Sequence, residues 1–115
     1  MSSATSAAWL TSLRRPSPTI TLGEPEKAAL INAEVKLGAL GPTLAYPHSS
    51  AVQGADRLRE LRPRGGRSRW RALYRQVGDE FVIGAIAPEA QVDPRRFTAA
   101  CRHAEARLAE LEDKA

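Results

Sequence analysis

Leu30, Ala33, Leu37 and Leu40 recur at helical spacing behind Pro25 and ahead of Gly41-Pro42, which predicts an amphipathic helix over about residues 25–40. Upstream, AAWLTSL (7–13) reads as a short helix. The following RRPSPTITLG (14–23) is broken by two prolines into a loop, with Thr19 to Leu22 as a candidate edge strand. Downstream, TLAYPHSSAVQGAD (43–56) has turn residues and no period, so it is expected to be mostly loop. Two strands follow, about Arg57 to Arg62 and Arg69 to Val77. They are joined by Pro63-Arg64-Gly65-Gly66, whose glycines permit the positive φ that a hairpin loop requires. Gly78-Asp79 turns tightly into EFVIGAIA (80–87), the most apolar strand and therefore the expected centre of the sheet. Asp93, with Pro94 behind it, caps a last helix whose apolar stripe is Phe97, Ala100, Cys101, Ala104, Leu108 and Leu111. The order is helix, helix, three-stranded antiparallel meander, helix. This is an α+β domain, a small antiparallel sheet of three or four strands packed by two N-terminal helices and a C-terminal helix.

Composition fits a single soluble domain over 1–115, since a chain of this length buries roughly two thirds of the surface it exposes when unfolded. Charge changes the picture more. Residues 57–77 hold eight of the fourteen arginines and one acid, Glu60, so this stretch carries +7 while the whole chain carries +4 and the remainder −3. Strand alternation sets Arg69, Arg71, Leu73, Arg75 and Val77 on one face and Trp70, Ala72, Tyr74 and Gln76 on the other. One strand face thus bears three cations, with only Glu60 at hand to neutralise them. Solvated arginines lying over a sheet edge account for this blandly. Their concentration on one hairpin, with only three lysines in the chain, favours a polyanion site, because a guanidinium grips phosphate with two prongs. MSSATSAAWL has no basic n-region and no apolar h-region, and the longest apolar run, Phe81 to Pro88, is too short to span a bilayer. A lone cysteine, Cys101, leaves no internal disulfide. A reduced, cytoplasmic protein without membrane, metal or small-molecule cofactor is expected.

PHS (47–49), LRELRP (58–63) and RWRALY (69–74), followed by a turn, an apolar strand and an amphipathic helix, resemble in their order the HigB-like branch of the RelE/ParE toxin superfamily. The resemblance covers about residues 25–112 and leaves 1–24 as an atypical N-terminal segment. It implies the toxin of a bacterial type II toxin-antitoxin pair, an endoribonuclease that cuts messenger RNA in the ribosome. It also implies silencing by a cognate antitoxin, of helix-turn-helix type, that covers the arginine face. On this resemblance Arg71 takes the scissile phosphate, while Arg59, Arg62, Arg64, Arg67, Arg69 and Arg75 bind the RNA backbone.

Such cleavage needs proton removal from the ribose 2′-hydroxyl, cations on the phosphate and a proton for the departing 5′-oxygen. Many relatives supply these protons from a basic residue after the last strand and a tyrosine at the start of the final helix. Gln91 and Phe97 stand at those positions here. His48 is the remaining proton carrier, since imidazole serves as acid or base near neutrality. Tyr74 matches the family pattern and is the next candidate, although alternation sets it opposite Arg71 as a core aromatic. Trp70 is a base-stacking or core residue, His103 a surface one, and two histidines and a cysteine in separate contexts make no metal motif. MSSATSAA lacks the look of the family's first strand, so Thr19 to Leu22 replaces it or the strand is absent. Two other classes fit the residues, a toxin acting on a protein target such as gyrase and a catalytically weak RNA- or partner-binding module.

Overall fold

Gly23 precedes the first helix in extended conformation, Pro25 lies in its first turn, and Glu24 and Glu26 add negative charge at the positive end of its dipole. This helix, α1, runs Glu24–Leu40 in the computed structural model, which describes residues 22–55 and 57–114. It ends where Gly41 turns to a φ of 57° and donates its N–H to the Leu37 carbonyl. The helix at 7–13 and nearly all of the candidate strand at 19–22 lie outside the described residues. Leu30 and Leu37 are buried as the spacing predicts, but Leu40 is half exposed because the chain turns away directly after it. Ile31 and Val35 are exposed and Glu34 is buried, so α1 is less cleanly amphipathic than its leucines suggest.

Four antiparallel strands form one sheet in sequence order: β1 (Ser49–Ala51), β2 (Arg59–Leu61), β3 (Trp70–Val77) and β4 (Glu80–Pro88). β1 was expected to be loop. Its three residues carry no alternation, and pairing makes it a strand, with Ser49 opposite Leu61 and Ala51 opposite Arg59. The turn between β2 and β3 has positive φ at Gly65 and Gly66, as predicted, and also at Arg64. Gly78, with a φ of 64°, makes the two-residue loop into β4.

β4 lies at an edge of the sheet, and not at its centre. Its apolarity has another cause, because both of its faces are covered. Phe81, Ile83 and Ile86 join Leu30 and Leu37 of α1, Leu61, Ala72 and Tyr74 in one core. Val82 and Ala85 join Leu73 and the last helix, α2 (Pro94–Lys114), in a second core through Cys101, Ala104 and Leu108. Gly84 is the extra residue of a bulge, where Leu73 pairs with Ala85 and Tyr74 with Ile83. A Cβ on Gly84 would come within 3.0 Å of the Ala104 Cα, so the bare glycine lets α2 close on the sheet. Asp93 caps α2 as predicted, its Oδ1 accepting the Arg96 N–H at 3.1 Å, while Leu111 at the far end of the stripe is exposed. No helix among the described residues is long and apolar enough to cross a membrane.

Candidate nucleic-acid interface

Alternation in β3 holds, but the face bearing Arg71 and Arg75 is not open. α2 lies over it, and both arginines are buried. All five N–H groups of Arg71 are in use. Nε donates to Glu60 at 3.0 Å, Nη1 to the carbonyls of Ser68 at 2.6 Å and Trp70 at 2.8 Å, and Nη2 to Glu89 and the Gly66 carbonyl. Burial pulls the Arg71 pKa down, as does the charge of Arg62, and Glu89 and Glu60 oppose this. The phosphate contact expected of Arg71 is therefore given up here. Its fork holds the protein's own carboxylates and carbonyls, and the neutralising acids include Glu89, which lies beyond the hairpin.

Arg75 donates to Glu112 on α2 at 3.1 Å, and Arg57 grips the same carboxylate with two prongs at 2.8 and 3.1 Å. Those bonds, led by the Arg57 contact, hold Glu112 below its ordinary pKa of 4.5. A depressed carboxylate pKa stabilises the fold above the unfolded value and loses that contribution as pH falls through the folded one. Glu112→Gln should therefore be less stable than wild type at neutral pH, and the gap should close below about pH 4.5 in urea titrations run across pH. A gap constant down to pH 2 would contradict this.

Tyr74 is buried. Its Oη shares a 2.6 Å hydrogen bond with Ser49 Oγ, which also accepts from Arg59 Nε at 3.0 Å, and its ring packs edge-on to Phe81. This is the core aromatic that alternation indicated, with its hydroxyl engaged. Trp70 packs partly buried on the α1 core with the Arg69 guanidinium 5.8 Å from its ring, and Phe97, in the first turn of α2, packs partly buried against the second core. Gln91 is exposed just beyond β4, and His103 is a surface residue. Cys101 is buried, and burial pushes its thiol up to about 11. No group of three potential ligands among the described residues is arranged to hold a metal.

The remaining cations converge elsewhere. A cleft of about 460 Å³ lies between α1 and the turn that follows β2. α1 contributes Ala29, Asn32, Ala33 and Lys36, and the opposite wall is Arg62, Arg64, Gly65 and Arg67, with Leu44, His48 and Leu61 between them. No acid lines it among the described residues. Arg62 is fixed by donating Nε to the Pro47 carbonyl at 3.0 Å, and Arg64 by donating to the Pro25 carbonyl at 3.2 Å. Each also meets an acid at the long end of ion-pair range, Arg62 Nη1 to Glu60 and Arg64 Nη1 to Glu26, both at 3.5 Å. Arg67 is exposed, its Nε donating to the Arg64 carbonyl. His48 reaches this wall directly, since its Cε1 would lie 3.7 Å from a Cβ on Gly65. Of the predicted residues, His48, Arg62, Arg64 and Arg67 come together in this cleft, and Arg59, Arg69, Arg71, Tyr74 and Arg75 do not line it, although Arg71 shares the Glu60 carboxylate with Arg62. Lys36 is an addition, for nothing in its helix indicates that it faces the turn.

A second cleft, of about 640 Å³, lies over Leu44, Tyr74 and Phe81 beside Arg57, Arg59 and Arg75. It is larger and no acid lines it either among the described residues, but Arg57 and Arg75 hold Glu112 at 2.8 to 3.1 Å, closer than the 3.5 Å pairs of Arg62 and Arg64, so the first cleft is the better anion site. No family model, no curated protein and no solved structure matches this chain. The class stands on the fold itself, a small α+β domain with a four-stranded antiparallel sheet between an N-terminal and a C-terminal helix.

Proposed function

We propose that this domain is a toxin of RelE/ParE type, HigB-like branch, that binds messenger RNA and cleaves it on the ribosome, and that its RNA site is the cleft between α1 and the 63–67 turn. The observation that carries the reading is the convergence of His48 with Lys36, Arg62, Arg64 and Arg67 in a cleft that no acid lines among the described residues. The arginines hold the phosphate that gains charge as the 2′-oxygen attacks phosphorus and the bond to the 5′-oxygen breaks. His48 takes the 2′-hydroxyl proton, and with the Lys36 ammonium assigned to the phosphate beside the arginines, the 5′-oxygen takes its proton from water. Cleavage is then slow. A cognate antitoxin covering this cleft would silence it, and an acidic surface is the complement it requires.

The binding-module reading has one observation in its favour. Arg71 and Tyr74, the two residues that match the family pattern, both spend their polar atoms inside the protein. The toxin reading and the RNA-binding form of the module reading both require RNA binding, and salt tests it. With three or four phosphates neutralised, log K for a single-stranded oligonucleotide should fall against log salt with a slope of about −2 to −3. Arg64→Glu with Arg67→Glu should abolish most of that binding in a fluorescence-anisotropy titration. Binding indifferent to salt, or to the double reversal, would remove the cleft as the RNA site.

A further inference from the structure

We infer that Tyr46 is a stacking platform for an unpaired base at the mouth of the cleft, which makes the site selective for single-stranded over duplex RNA. The inference rests on the RNA reading above and adds the residue that sets strand form. Tyr46 is 72% exposed, more than any other large apolar side chain described. An aromatic ring left so open in a chain with two tyrosines, two tryptophans and two phenylalanines calls for a ligand face, since the other five are spent on packing or lie outside the described part.

Its position ties it to the cations. The Arg62 guanidinium lies over the ring, 5.2 Å from its centroid, while Arg62 Nε donates to the Pro47 carbonyl of the same loop. Arg62 also lines the cleft, so ring and cleft share one wall. The cation orients the ring and leaves its other face to a base, and a base stacked there sets its phosphate beside the cleft's guanidinium groups. The His48 N–H closes this loop on the Ala45 carbonyl at 2.9 Å, which carries the imidazole on the same short segment as the ring. Stacking is tolerant of sequence, because every base has a π-face, but in a duplex those faces are already occupied. Duplex RNA is left with phosphate contacts alone.

The test compares a single-stranded RNA carrying 2-aminopurine with its duplex, using wild type, Tyr46→Leu and Tyr46→Trp, each verified as folded by circular dichroism. Wild type should bind the single strand more tightly and quench the 2-aminopurine emission. Tyr46→Leu should lose about tenfold in affinity for the single strand, with the quenching gone, the salt slope kept and duplex binding unchanged. Tyr46→Trp should retain both affinity and quenching. Salt-dependent binding of the single strand that is as tight in Tyr46→Leu as in wild type overturns the platform and leaves the cleft standing. Wild type that binds neither form overturns both.

Discussion

Arg71→Ala is expected to destabilise the domain by about 3–5 kcal/mol, the cost of stranding the partners of a buried, fully bonded charge. That is a large part of the roughly 5–15 kcal/mol by which a domain is stable at all. The guanidinium joins Glu60 of β2, the carbonyls of Gly66, Ser68 and Trp70 at the entry to β3, and Glu89 just past β4. Without it, Glu60 keeps only the 3.5 Å pair with Arg62, Glu89 loses its guanidinium partner, and three carbonyls lose a donor. Glu60 and Glu89 keep some contact with water, which moves the expectation to the lower end of the range. Arg71→Lys should recover only part of the loss, since three donors on one nitrogen cannot serve acceptors that a planar fork of five reaches. Urea denaturation followed by circular dichroism measures both variants. Arg71→Ala within about 0.5 kcal/mol of wild type, the range of an ordinary surface change, would show that the network is not what holds the turn.

The same network explains where strand-level reading succeeds and where it stops. Periodicity is local, and α1, α2, β3, β4 and the glycines of both turns follow from it directly. β1 does not, because Ser49, Ser50 and Ala51 are extended by their pairing to β2 and not by any pattern of their own. The apolar run of β4 is legible as burial, but burial has two sources. A central strand is one, and an edge strand between two helices is the other, which is the case here. The arginine face was likewise correct as geometry and incomplete as electrostatics. Its acids arrive from 18 residues away in Glu89 and 37 away in Glu112, and no window along β3 contains them.

The candidate site is half legible for a related reason. The basic turn and His48 are each visible, and PHS ahead of LRELRP orders them. Their meeting in one cleft depends on α1 lying against the turn, with Arg64 bonded to the Pro25 carbonyl and Ser68 Oγ to Glu26. Those contacts bring Arg64 and Arg67 into one cleft with Lys36, whereas the family resemblance gave the phosphate to Arg71. Arg62 and Arg64 meet their acids at 3.5 Å, where Arg71 and Arg75 hold theirs at 3.1 Å or less, and that difference exists only in three dimensions. Tyr46 was overlooked although it neighbours Pro47-His48 in a loop, where an aromatic lacks any helical or strand partner and is more often a contact than a core residue.

His48→Ala is the substitution with the largest expected effect on chemistry. It should slow cleavage of ribosome-bound message by about 100- to 10,000-fold, the usual contribution of a general acid or base, while RNA affinity changes little. The separation is the informative part. Arg62, Arg64 and Arg67 keep the phosphate attraction, and they are fixed by backbone carbonyls of Pro47, Pro25 and Arg64 that the substitution does not touch. A fall in turnover with binding intact therefore assigns proton transfer to the imidazole, and a matched fall in both would make His48 a wall of the cleft. Cleavage as fast in the variant as in wild type removes it from the chemistry. Tyr74 would be a poor successor, because its hydroxyl is bonded to Ser49 in the core. Growth arrest without any cleavage by wild type would turn the cleft toward a protein target, for which a basic, partly apolar groove is equally suited. RNA binding with neither cleavage nor arrest would leave the same cations and ring as a binding module, with the imidazole as one more contact.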